Sequence, residues 1–220
     1  GTLDLGLLDG SCLDFGRTEE VCRRARGPPV LPEVFARILR SKVFAQPSDR
    51  GLLEAKYRQV FEDATASTRE LALQRLAWGE AQAAGLAAVL QRCTALQVLN
   101  LQSNSLGDKG AWELSGAISW CANLRELDLG ANGIGDLGAR CLAAAVPTCG
   151  CLASLLLRRN EIEDSGADAL ASALPWCVRL GSLDLRNNRF TKEGVERLEA
   201  AWGLQRPVAC PGIDGSEPSE

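Results

Sequence analysis

The stretch Leu124-Arg125-Glu126-Leu127-Asp128-Leu129-Gly130-Ala131-Asn132-Gly133-Ile134-Gly135-Asp136-Leu137-Gly138-Ala139 changes its hydrophobic rhythm partway along. Leu124-x-x-Leu127-x-Leu129 alternates apolar and variable residues, the period of a half-buried strand. From Asp136 onward, through Ala139, Leu142 and Ala143, the apolar residues fall at helical spacing. The same frame recurs every 28 residues. It reads Leu96-x-x-Leu99-x-Leu101-x-x-Asn104-x-Leu106, Leu152-x-x-Leu155-x-Leu157-x-x-Asn160-x-Ile162 and Leu180-x-x-Leu183-x-Leu185-x-x-Asn188-x-Phe190. A fixed period of this length means one strand–helix unit stacked on copies of itself around a shared core.

Other residues obey the same register. Cys93, Cys121, Cys149 and Cys177 each precede the first leucine of a unit by three positions, where the helix of one unit turns into the strand of the next. A small, weakly polar thiol suits the close approach of successive turns, so these cysteines are expected to pack rather than to bridge or bind metal. Cys149-Gly-Cys151 has no second cysteine pair at metal-ligand spacing. The nine cysteines of the chain, an odd total, fit a reducing compartment. Asn104, Asn132, Asn160 and Asn188 stand where strand gives way to loop; side chains that both donate and accept are expected to tie neighbouring turns into a ladder. Asp108, Asp136 and Asp164, with Thr191 in the fourth unit, are placed to cap their own helices. Gly110, Gly138, Gly166 and Gly194 share a phase in the first helical turn, which points to a close neighbouring backbone.

Residues 96–203 resemble the leucine-rich repeat family, in its ribonuclease-inhibitor-like subtype with 28-residue units. The resemblance rests on L-x-x-L-x-L-x-x-N-x-L and on the run Asn132-Gly-Ile-Gly-Asp-Leu-Gly-Ala139 that leads into the helix. It implies an α/β fold, a curved solenoid with parallel strands on the concave face and helices on the convex face. One unit upstream, Thr68-x-x-Leu71-x-Leu73-x-x-Leu76-x-Trp78 keeps the phase but has threonine for the first leucine and leucine for the asparagine. It is expected to be a divergent first repeat.

The expected layout is an irregular segment over 1–30, a helical cap over 31–66, the solenoid over 67–203, with one divergent and four regular repeats, and a flexible tail over 204–220. The cap reads as two amphipathic helices, Leu31 to Phe44 and Asp49 to Ala64, with Pro32 in the first turn of one and Ser48 or Asp49 capping the other.

Function is less legible. A formal net charge of −4 gives no overall electrostatic case for nucleic acid or an anionic membrane, and no apolar run is long enough to span a bilayer. The absence of histidine removes Ser-His-Asp and Cys-His catalysis and every His-containing metal site. No P-loop, H-E-x-x-H or nucleophile elbow is present. No enzymatic activity, cofactor or metal is expected. The outward strand positions bring Arg158, Arg159 and Arg186 together as a basic spot, with Glu126, Asp128 and Asp184 as acidic neighbours. Arginine forks suit carboxylate or phosphate, so these six are the candidate protein-binding residues of the concave face. The alternative is that Asp128, Arg158 and Asp184 pair across neighbouring strands. Trp120 and Trp176, next to the repeat cysteines, are expected to pack.

The resemblance implies a non-catalytic scaffold or interaction module that presents its surface to a protein. A monomer in a cytoplasmic setting, with neither nucleic acid nor membrane as partner, is also expected. Its alternatives are a regulator similar to the Ran GTPase-activating proteins and the sensing end of a NOD-like receptor. The chain begins without methionine and is read as a fragment or a processed form.

Overall fold

The computed structural model describes residues 27–44 and 46–203. The expected tail over 204–220, and residues 1–26 of the expected irregular segment, lie outside the described residues. The described chain runs α1 (Pro32–Arg40), α2 (Pro47–Ser67), β1 (Glu70–Ala72), α3 (Glu80–Leu90), β2 (Val98–Asn100), α4 (Gly107–Ile118), β3 (Glu126–Asp128), α5 (Asp136–Ala145), β4 (Ser154–Leu156), α6 (Asp164–Ala173), β5 (Ser182–Asp184) and α7 (Lys192–Gly203). Short 3-10 turns at Val146–Thr148 and Leu174–Trp176 extend α5 and α6.

The five strands form one parallel sheet in sequence order. Leu71, Leu99, Leu127, Leu155 and Leu183 are mutual partners along it. This is the α/β leucine-repeat solenoid that the register implied. The strands are shorter than L-x-x-L-x-L suggests. Leu96, Leu124, Leu152 and Leu180 lie in the preceding turn, held by N–H bonds to Cys93, Cys121, Cys149 and Cys177 carbonyls. Each unit is too small to bury its apolar face alone; stacking buries the leucines as one continuous core with Ala83, Ala111, Ala139 and Ala167 of the helices.

The asparagine ladder forms. Asn104 Oδ1 accepts the Leu76 and Trp78 N–H groups, both at 3.0 Å, while its Nδ2 donates to the Leu73 and Leu101 carbonyls. Asn160 repeats the pattern with Asn132, Ile134, Leu129 and Leu157. Asn188 does so with Ile162, Leu157 and Leu185. At Asn132 the amide nitrogen donates as elsewhere but Oδ1 has no partner. There Gly107 takes a left-handed φ of 60°, α4 begins one register position earlier than α5 and α6, and the Gly107 N–H donates to the Asn132 backbone carbonyl at 3.0 Å. The residue before each ladder asparagine, from Ser103 to Asn187, is also left-handed, turning the chain out of the strand.

The aspartates do not cap their own helices. Asp108 Oδ1 accepts the Gly135 and Gly138 N–H groups of the following unit, at 2.7 and 2.9 Å, and Asp136 Oδ1 accepts those of Glu163 and Gly166 at 2.8 and 2.9 Å. Asp164 likewise accepts the Thr191 N–H at 2.8 Å. Each carboxylate therefore serves the start of the next helix, because the helix starts are stacked and each aspartate, at the first or second position of its own helix, faces orphan donors across the unit boundary. Thr191 does cap its own helix, accepting the Gly194 N–H at 3.3 Å.

The recurrent glycines follow from the same arrangement. A Cβ at Gly138 would stand 2.8 Å from Asp108 Oδ1, and one at Gly166 2.6 Å from Asp136 Oδ1. At Gly138, Gly166 and Gly194 the close neighbours are thus side chains, a capping aspartate joined at the first two by an isoleucine methyl. At Gly110 they are Leu106 and Ala83; none is the neighbouring backbone.

At the array's start, Thr68 is the end of α2. Its N–H and hydroxyl both donate to the Ala64 carbonyl, at 3.0 and 2.7 Å, so a helix terminus occupies the first-leucine position. Phe61 joins the common core, with Tyr57 and Leu31 packed against it, and Phe35 stacks on Tyr57 at 3.9 Å between ring centroids. Both cap helices differ from expectation in their bounds, the second also running on to Ser67. The first helix stops at Arg40, where the Ser41 N–H and hydroxyl close on the Ile38 carbonyl. The second begins at Pro47, so Ser48 and Asp49 lie inside its first turn and do not cap it.

Candidate functional site

Strands β3, β4 and β5 carry the candidate residues. Their register sets Glu126, Ser154 and Ser182 side by side, then Asp128, Leu156 and Asp184. Arg158 and Arg186 follow Leu156 and Asp184 by two positions, so period-2 alternation returns them to the same face.

Asp128, Arg158, Asp184 and Arg186 are brought together as one row of alternating sign. Arg158 Nη2 lies 3.5 Å from Asp128 Oδ2 and its Nη1 lies 3.8 Å from Asp184 Oδ2. Arg186 grips Asp184 with both arms of its fork, Nε to Oδ1 at 3.0 Å and Nη2 to Oδ2 at 2.8 Å. Gly130 makes the first of these approaches feasible. A Cβ there would stand 3.1 Å from both Arg158 Cγ and Asp128 Oδ1. Leucine at 156, flanked by Asp128 and Asp184, leaves no third carboxylate to compete for the guanidinium.

The two carboxylates are buried, Asp128 to 3% exposure and Asp184 to 7%, and they titrate in opposite directions. Burial raises the Asp128 carboxyl above its ordinary value, against the lowering pull of the Gly130 N–H and the Arg158 charge. At Asp184 burial also acts upward, but the Arg186 hydrogen bonds and the Arg186 and Arg158 charges together outweigh it and bring the carboxyl down. A fork on one carboxylate and a single long contact on the other account for the difference.

Glu126 and Arg159 stand apart from the row. Glu126 is half-buried at the start of β3 and Arg159 is exposed at the left-handed position after Arg158, and neither has an ion pair among the described residues. The expected basic spot is thus a mostly self-neutralised row with one unengaged guanidinium beside it. Among the described residues, no three His, Cys, Asp or Glu side chains are grouped to hold a metal ion.

The turn cysteines are packing groups. The Cys93 and Cys121 thiols face the Val89 and Leu90 carbonyls at 3.5 Å each. Burial pushes them up to about 11 and about 12, and Cys149 to about 11. The neighbouring tryptophans do not pack. Trp120 is 63% exposed and Trp176 is 73% exposed. The sequence held the signal for this: their phase is filled by Arg92 and Thr148 in the other units, and a position that varies so widely is a surface position.

A leucine-rich repeat family model matches residues 92–115, 121–143, 149–171 and 180–198. No curated protein sequence matches the chain. Among solved structures the chain is similar to leiomodin-1 actin-binding site 2, with a TM-score of 0.54 and 12% identity over 67% of this chain and 86% of that one. A chain of the BIR3–SERK2 complex from Arabidopsis thaliana aligns with a TM-score of 0.36 and 23% identity over 55% of this chain and 56% of that one. At 12% identity the likeness to leiomodin-1 bears on fold alone.

Proposed function

Residues 92–198 belong to the leucine-rich repeat family, and from that premise we propose that the chain is a non-catalytic module presenting its repeat surface to a protein partner. The observation that supports this is the concave sheet itself, where five strands in unbroken register hold outward side chains on one face. Arrays of this kind generally serve as interaction modules, although fold alone names no partner. One helix per 28-residue unit favours the ribonuclease-inhibitor-like subtype. The odd cysteine total favours a reducing, cytoplasmic setting. No helix among the described residues is long and apolar enough to cross a membrane.

We assign first contact on the concave face to Arg159, with Glu126 beside the row and Asp128, Arg158, Asp184 and Arg186 as a rigid strip of fixed polarity. The test is affinity capture with the intact chain and with a variant carrying Arg158→Ala, Arg159→Ala and Arg186→Ala together. Loss of a specific partner from a variant that still melts cooperatively supports the concave site. An unchanged partner set moves the site elsewhere.

A further inference from the structure

We propose that the edge of the solenoid where helices turn back into strands is a second docking surface, and that it takes an acidic protein segment carrying apolar side chains. The proposal does not depend on the concave row. The turns of this edge stack directly. The Gln97, Arg125, Ala153 and Gly181 N–H groups donate in series to the Arg69, Gln97, Arg125 and Ala153 carbonyls, at 2.7 to 2.8 Å, and Asn123 Nδ2 bonds the Thr94 carbonyl at 2.8 Å.

On this stacked edge stand Trp120, Trp176 and Val178, the last 77% exposed. The two tryptophans share a phase two units apart, which places them about 10 Å from one another by strand spacing. Beside Trp176 a shallow cleft is lined by Val146, Pro147, Leu152, Val178 and Arg179, concave enough for a single apolar side chain.

Charge decides the occupant. The turns 91–97, 119–125, 147–153 and 175–181 contain Arg92, Arg125 and Arg179 and not one Asp or Glu, in a chain of net charge −4. All three arginines are exposed and have no ion pair among the described residues. Elsewhere on the array several cations are paired, as in Lys109–Glu80, Arg189–Glu161 and Arg158 with Asp128, each with an acidic residue of its own or a neighbouring unit. Exposed tryptophan and arginine together are the residues on which binding energy concentrates. Three arginines one to two units apart suit a few carboxylates on an extended segment. They are too few for the continuous phosphate contacts of a nucleic acid. The cleft favours a side chain over a flat lipid surface.

The test is fluorescence anisotropy of the intact 220-residue chain with a labelled twelve-residue peptide of Asp, Glu, Leu and Phe. The expected result is saturable binding that weakens with salt. It should fall about tenfold or more in Trp120→Ala/Trp176→Ala, in Val178→Asp and in Arg92→Ala/Arg125→Ala/Arg179→Ala, and stay unchanged in Trp112→Ala, an exposed tryptophan on α4. No binding, or equal binding by all variants, overturns the proposal. So does tighter binding of a single-stranded oligonucleotide or of phosphatidylserine vesicles through the same residues. Self-association of the chain that Trp120→Ala/Trp176→Ala abolishes would overturn it as well.

Discussion

At the scale of single residues, Asp136 and Gly166 form one device built across a unit boundary. The carboxylate bonds the first N–H groups of α6, and the glycine leaves the space in which it sits. Asp136→Ala removes a two-donor cap and is expected to cost about 1 to 2 kcal/mol in urea unfolding. Gly166→Ala drives a methyl into Asp136 and Ile162 and is expected to cost about 2 kcal/mol or more. Because the first damage includes part of the second, the double variant should lose less than the sum, by about 1 kcal/mol. Strict additivity would mean that the two residues do not share a contact. The aspartate and the glycine were each visible in the sequence as recurring residues. That they serve one another was not, since their distance of 30 positions becomes contact only when units stack.

At the scale of elements, the row across β3, β4 and β5 carries two carboxylates of opposite behaviour. A carboxyl raised in the folded state, as at Asp128, contributes stability that is present in acid and is lost as pH rises through its folded value. A carboxyl lowered in the folded state, as at Asp184, contributes stability that is present above its unfolded value and is lost as pH falls. Asp128→Asn can keep the Gly130 hydrogen bond while removing a buried charge. It is therefore expected to gain stability relative to the parent as pH climbs from the carboxylate range to neutrality. Asp184→Asn gives up the Arg186 fork and should lose relative stability over the same climb, by about 1 kcal/mol given the half-exposed arginine. Urea titrations at stepped pH check the two slopes, and slopes of the same sign would contradict the assignment. The turns make their own prediction. With thiols raised to about 11 and about 12, Cys93 and Cys121 should resist alkylation in the native state, while among the described residues half-buried Cys141 and Cys151 react before them. Mass mapping of a timed iodoacetamide reaction reads the order.

At the scale of the whole molecule, the asparagine ladder has a middle and two ends. Asn160 makes four bonds to two units and is buried, whereas Asn188, at the last unit, makes three and is only part-buried. Asn160→Ala is expected to cost about 3 kcal/mol and Asn188→Ala roughly half of that, by denaturant unfolding, since buried donors and acceptors left unmet carry the larger penalty. Equal costs would mean that the ladder is not what links the units. The register of Asn104, Asn132, Asn160 and Asn188 by itself determined the solenoid, the parallel sheet and the packing cysteines, because a stacked repeat maps sequence period directly onto space. Only the tertiary structure decided that each aspartate caps its neighbour's helix and that Asp184 is gripped while Asp128 is loosely matched. It also decided that Trp120 and Trp176 face solvent. Each of these depends on which side chains of different units meet and on how much water remains between them, and neither quantity has a period to be read.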